Sequence, residues 1–167
     1  LSPMLPLSVL WLAGVAVLWG WWLYTHRKLK KRMETAVRVA PGVLESDQPG
    51  PPFVLGFFPP KIYLPRGLEA PHRSYVLSHE RFHLRRGDFV WKPLFFLAAA
   101  VHWFNPVLWL AWRLFCRDLE ASCDEGVLSN LPEGERAGYA RALLPLAAPE
   151  TSRLPAAFGE HHVSRRV

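Results

Sequence analysis

His79, Glu80 and His83 are the residues of this chain best spaced to do chemistry. In the run His79-Glu80-Arg81-Phe82-His83 the two histidines stand at i and i+4, so on a helix both imidazoles leave one face, one turn apart. Both can then reach one zinc ion at about 2.0–2.1 Å. Glu80 can face the open coordination position and take a proton from the water held there. This HExxH pattern belongs to zinc peptidases when it lies on a helix, so the expected cofactor is Zn2+ and the expected reaction is peptide-bond hydrolysis.

A catalytic zinc takes three protein ligands and keeps one open site. The candidates for the third lie in Arg117-Asp118-Leu119-Glu120-Ala121-Ser122-Cys123-Asp124-Glu125. Glu120 is favoured, and Cys123, Asp124 and Glu125 remain alternatives. On a helix Glu120 and Asp124 share a face, so Asp124 can steady a ligating histidine or an arginine while Glu120 binds the metal. No oxyanion donor stands out; His102, Arg113 and Tyr139 are the candidates, with His102 and Tyr139 more ordinary as packed residues.

Several elements must position these groups. Pro71 suits a first helical turn, and the stretch from Pro71 to Ser78 has no internal breaker. Tyr75, Val76 and Phe82 can bury one side, and Gly87 can end the helix after Arg85-Arg86. Upstream, Ala36–Ala40 alternates like a short strand, and Ser46-Asp47-Gln48-Pro49-Gly50-Pro51-Pro52 reads as a loop. Phe53–Phe58 and Lys61–Pro65, around Pro59-Pro60, predict two strands of a small sheet, which their prolines favour as edge strands. Such an edge could hold an extended peptide by strand addition, or be a plain hairpin. Downstream, Pro93 and Asn105-Pro106 divide a strongly apolar stretch into helices near 89–104 and from 106 to about 128. Whether that pair spans a bilayer, dips into it or packs on another span is open at this level, although the first helix is short for a crossing.

Residues 1–25 contain no Asp, Glu, Lys or Arg, and Leu7–Tyr24 is almost wholly apolar. Trp21, Trp22 and Tyr24 crowd one end as an interfacial belt would, and Arg27-Lys28-Leu29-Lys30-Lys31-Arg32 follows. The expectation is a transmembrane helix with this basic end in the cytoplasm. A signal peptide would carry its charge ahead of the apolar run, and a buried soluble helix is the other alternative. The net charge, 20 − 14 = +6, is clustered beside apolar segments with no nucleic-acid reader motif, so membrane lipid is the expected partner and nucleic acid is not. Cys116 and Cys123, seven apart on one helix, would lie about 10 Å apart along its axis, too far for a disulfide. The start at Leu1 and the end at Val167 suggest a piece of a longer membrane protein.

Three runs together resemble the BlaR/MecR family of membrane zinc metallopeptidases. They are His79–Asp88, His102-Trp103-Phe104-Asn105-Pro106 and Glu120-Ala121-Ser122-Cys123-Asp124. The run from Pro52-Phe53-Val54 to Ile62-Tyr63-Leu64-Pro65 is similar too, and the likeness extends from the first apolar span to Phe158-Gly159-Glu160. The resemblance implies a cytoplasmic zincin domain between spanning helices and a gluzincin site with Glu120 as third ligand. Prenyl-protein and HtpX-type membrane peptidases share the histidine motif and a downstream ExxxD, here Glu120 to Asp124. Family members with a penicillin-binding sensor detect β-lactams outside and trigger proteolysis that relieves a repressor inside. This chain has no SxxK followed by its partner motifs, which leaves the signal open but not the zinc ligands.

The expected fold class is α+β, an integral multi-pass membrane protein of the cytoplasmic membrane with a small cytoplasmic zincin domain packed on membrane helices. Its expected parts are a transmembrane helix (1–26), a zincin part with small sheet and HExxH helix (27–88), an apolar helix pair carrying the third ligand (89–130), and a C-terminal helix with a truncated tail (131–167). The expected substrate is a protein or peptide, a transcriptional repressor or the protein itself among the candidates, and the expected role is antirepressor-like signalling. A quality-control protease would use the same site, and a non-catalytic membrane signalling or scaffold segment is the competing class.

Overall fold

Residues 4–147 are described by the computed structural model, and they form five α-helices and a four-stranded sheet, an α+β arrangement. Of the C-terminal helix and tail expected at 131–167, residues 148–167, with the family-like run ending at Phe158-Gly159-Glu160, lie outside the described residues.

Helix α1 (Met4–Arg32) is 29 residues long and none of its residues is buried. Among the described residues it is the one helix long and apolar enough to cross a membrane, and it lies near the N-terminus. Lys30, Lys31 and Arg32 close its last turn, where positive charge suits the helix dipole. A short 3-10 turn (Met33–Thr35) then leads into the sheet.

The sheet runs in the order β1 (Val37–Ala40), β2 (Val43–Ser46), β4 (Lys61–Pro65), β3 (Phe53–Leu55). Strand β2 pairs antiparallel with β1 and parallel with β4, while β3 pairs antiparallel with β4. Two expectations are corrected here. Val43–Ser46 is a strand, so Ser46 belongs to the sheet rather than to the loop, opposite Pro65. Strand β4 is interior, and only β3 of the predicted pair lies at an edge. The prolines permit this because they border the ladder: Pro65 is the last residue of β4, and the next amide, Arg66 N–H, donates to Ser46 O at 3.1 Å.

One face of the sheet packs on helix α2 (His72–Arg86), through Val43, Ile62 and Leu64 against Val76. Val76 is fully buried, a stabilisation of about 1.5–3 kcal/mol for a side chain of this kind. Helix α2 starts after Pro71 and ends at Gly87, whose φ of 79° lets its N–H reach back to His83 O. Helix α3 (Asp88–Val101) follows without a linker, and α4 (Pro106–Ser129) returns beside it. Asn105 caps α4 by accepting from Val107 N–H at 3.0 Å, with Pro106 at the first helical position, as read from the sequence. Helix α5 (Glu133–Ala147) packs on α2 and α4, with Tyr139 and Ala142 against Tyr75 and Val127. Cys116 and Cys123 are both buried and unbridged.

Candidate metal centre

Helix α2 brings His79, Glu80 and His83 to one buried face; each is less than a tenth exposed. Helix α4 runs across that face, and Gly126 sets how closely. A Cβ built there would meet Phe82 Cζ at 2.1 Å, so a glycine is what lets α4 lie on the HExxH helix. This approach brings Glu120 to the histidines.

Three donor atoms converge. His79 Nε2 and His83 Nε2 are 3.0 Å apart, and Glu120 Oε2 lies 3.6 Å from the first and 3.3 Å from the second. Tetrahedral ligands at about 2.0–2.1 Å from one zinc stand roughly 3.3–3.4 Å from one another. The observed triangle therefore fits a single ion of that size.

The far nitrogens are held as metal-binding imidazoles require. His83 Nδ1 is 2.6 Å from Asp88 Oδ2, and His79 Nδ1 is 2.8 Å from Tyr139 Oη and 3.1 Å from Asp124 Oδ1. Tyr139 O–H donates to Asp124 at 2.9 Å, which leaves its oxygen free to accept from His79 Nδ1–H. With both Nδ1 atoms donating, both Nε2 lone pairs face the space between them. Two bare lone pairs at 3.0 Å repel unless a cation lies there, which a metal, or in its absence a shared proton, supplies.

The charges point the same way. Burial alone would lower the His79 pKa, but Cys123 and Glu120 raise it to about 11. Burial likewise opposes the rise at His83, where contacts with Asp88, Cys123 and Glu120 bring it to about 10. Burial would push the Glu120 carboxyl up, yet hydrogen bonding to His79 and His83 holds it well below the usual range. Glu80 is raised by burial, against the pull of His79 and His83. The site thus carries an anionic surround for a cation and a carboxylate with enhanced proton affinity.

Cys123 also comes close: its Sγ and the two histidines form a group with donor atoms within 4.8 Å of one another. Its Sγ lies 3.6 Å from His79 Nδ1 and 3.4 Å from His79 O, and it also interacts with His83. Glu125, the other alternative, is exposed. His102 sits at the far end of α3 and Arg113 is exposed on α4, whereas Tyr139 is buried against His79.

Three groups escaped the sequence reading. Asp88 is 2% exposed and receives the Arg86 Nε–H at 2.7 Å as well as the Arg86 Nη2–H. Arg86 also donates to Leu119 O at 2.6 Å, which ties the His83 support to the turn of α4 that carries Glu120. Lys92 donates to Glu120 Oε1 at 2.8 Å and so directs the other oxygen toward the histidines. The signal for Asp88 was the spacing, five residues beyond His83 and just past a helix-ending glycine; Lys92 gave only a lone charge in an apolar run.

Two imidazoles and a carboxylate around one point, beside a buried glutamate, are the parts that metal-dependent hydrolysis requires. A family model described as BlaR1 peptidase M56 matches residues 2–167, and the chain belongs to that family of metallopeptidases. Among curated proteins it is similar to the regulatory protein BlaR1 of Bacillus licheniformis, 28% identical over 186 residues, covering 94% of this chain and 31% of that protein. It is also similar to the methicillin resistance mecR1 proteins of Staphylococcus aureus and Staphylococcus epidermidis, each 28% identical over 97 residues, 56% of this chain and 17% of theirs. The chain thus spans less than a third of the length of these relatives.

Proposed function

We propose that this chain is the catalytic part of a multi-pass membrane zinc metalloendopeptidase that cuts a regulatory protein at the cytoplasmic membrane face. The observation that carries this reading is the triangle of His79 Nε2, His83 Nε2 and Glu120 Oε2, 3.0–3.6 Å on a side, next to Glu80. His79, His83 and Glu120 would hold Zn2+, and Asp124 with Tyr139 would hold His79 in place. When bound, the metal supplies a Lewis acid that polarises the scissile carbonyl and acidifies water. Glu80 takes the proton of the attacking water and passes it to the amine nitrogen as the C–N bond breaks. Asp88 keeps the His83 ring from rotating while this happens.

The basic run Arg27–Arg32 at the C-terminal end of α1 supports the cytoplasmic orientation. The name of the regulatory protein BlaR1 supports a signalling role; a transcriptional repressor or the protein itself is the substrate we propose.

The test is zinc content and peptide cleavage in the purified full-length protein. Glu80→Gln should keep its zinc and lose cleavage by about 100-fold or more, the scale of a lost general base. Glu120→Ala should lose zinc. Unchanged cleavage in Glu80→Gln would sink the enzymatic reading. Zinc retained in Glu120→Ala but lost in Cys123→Ser would move the third ligand to the cysteine.

A further inference from the structure

The pair α3–α4 forms a hairpin whose outward face is apolar. Trp91, Leu94, Phe104, Val107 and Leu110 are each more than half exposed among the described residues. A face of this size needs an occupant. The hairpin lies against α1: Trp22 of α1 packs on the cluster of Phe96, Trp112 and Cys116, and Trp103 at the hairpin tip sits where a Cβ on Gly14 would be, 2.3 Å away. The apolar face is therefore continuous with the surface of the candidate membrane helix.

The backbone of the tip is the second observation. Between Val101 and Pro106 the chain leaves helical geometry, and in water such a turn needs no special partners. Here indoles supply them. Trp11 Nε1–H donates to Val101 O at 2.8 Å, and Trp109 Nε1–H donates to Trp103 O at 2.9 Å. Asn105 N–H donates to His102 O at 2.8 Å, and Asn105 Oδ1 accepts from Val107 N–H. Irregular backbone at membrane depth is tolerated only where its polar groups are satisfied within the protein.

The length decides between dipping and crossing. From Pro106 to the exposed pair Arg117-Asp118 is about 17 Å at 1.5 Å per residue, little more than half a hydrocarbon core of about 30 Å. Arg113, on the way, is long enough to carry its charge toward the headgroups. At the other end the β3–β4 turn leaves Phe58 93% exposed, and Phe57 lies 6.0 Å from the His26 ring, where α1 turns polar.

We infer that α3–α4 is a re-entrant hairpin that enters the acyl chains from the side that holds the basic end of α1 and turns back near the bilayer middle, with the Phe57-Phe58 turn resting on that side's surface. Glu120 and Asp88 stand at the base of the hairpin, so the candidate metal centre lies at the membrane–water boundary. This inference does not depend on the site holding a metal.

The test uses the full-length protein in membranes, with single cysteines added and adducts counted above those of the native thiols. Met4→Cys and Lys31→Cys should react with a membrane-impermeant maleimide from opposite faces, which checks α1 itself. Leu94→Cys, Phe104→Cys and Leu110→Cys should resist it from both faces. A bimane at Leu110 should be quenched at least about twofold more by lipids with a nitroxide on the acyl chain than by lipids with one on the headgroup. Labelling of Phe104→Cys from the Met4 face would show a crossing and overturn the re-entrant geometry. Labelling of Leu110→Cys at the rate of Lys31→Cys would put the face in water. Protection without acyl-chain quenching would mean that protein covers it; each of these three results overturns the inference.

Discussion

Asp88 carries more of the site than its distance from the HExxH motif suggests. It accepts from His83 Nδ1 and from Arg86, and it is almost fully buried. Replacing it by Asn keeps the shape but removes the charge that favours the imidazole Nδ1–H. Asp88→Asn should weaken zinc binding by about 10- to 100-fold, the usual effect of losing an outer-shell partner, as read by competition with a chelator. Tyr139→Phe should do less, since Asp124 Oδ1 still faces His79 at 3.1 Å. Protons report on the same residues. The metal-free imidazoles have raised pKa values, about 11 and about 10, which favours their protonated form near neutral pH. Zinc uptake should release at least one proton, and apparent affinity should fall as pH drops, because protonation and metal binding compete for the same lone pairs. Calorimetry in two buffers of different ionisation enthalpy measures the release; zero release would show that the rings are already neutral.

At the scale of elements, the crossing of α2 and α4 is the joint that assembles the site. The Phe82 ring of α2 fills the space that a Cβ on Gly126 of α4 would need. Gly126→Ala should cost about 1–3 kcal/mol by overpacking and should lower zinc affinity by moving Glu120 away from the histidines. Adding Phe82→Ala should recover part of both losses, because the clash needs the ring; thermal unfolding and zinc titration of the two single variants and the double variant give the coupling. The sequence showed where α2 ends and α4 begins, since Gly87, Asn105 and Pro106 act through their own backbone geometry and immediate neighbours, but it ended α1 near 26 rather than at Arg32 and α3 near 104 rather than at Val101. It did not show β2 or the interior place of β4. Val43–Ser46 is too short to display alternation, and its strand state comes from pairing with β1 and β4 rather than from its own residues.

At the scale of the whole molecule, an apolar layer of α1, α3 and α4 stands beside a polar layer of the sheet, α2 and α5, and the candidate centre lies where they meet. Chelation of the full-length protein should therefore abolish cleavage while leaving far-ultraviolet dichroism near its starting value, because the Val43–Ile62–Leu64–Val76 core and the Tyr75–Val127–Tyr139–Ala142 core do not include the ligands. Loss of helix signal on chelation would mean that the metal holds the domain together. The sequence by itself determined the histidine pair, the glutamate between them, the candidate span and the helix caps, because these depend on spacing of a few residues along one helix. Only the tertiary structure decided that Glu120 Oε2 lies beside both Nε2 atoms and that the Cys123 thiol also reaches the two histidines. It also brought Asp88, Lys92 and Tyr139 to the site. With the histidines, Glu120 and Cys123 these groups sit on four different helices, and which of their atoms meet depends on helix crossings set by packing, above all by the absence of a side chain at Gly126.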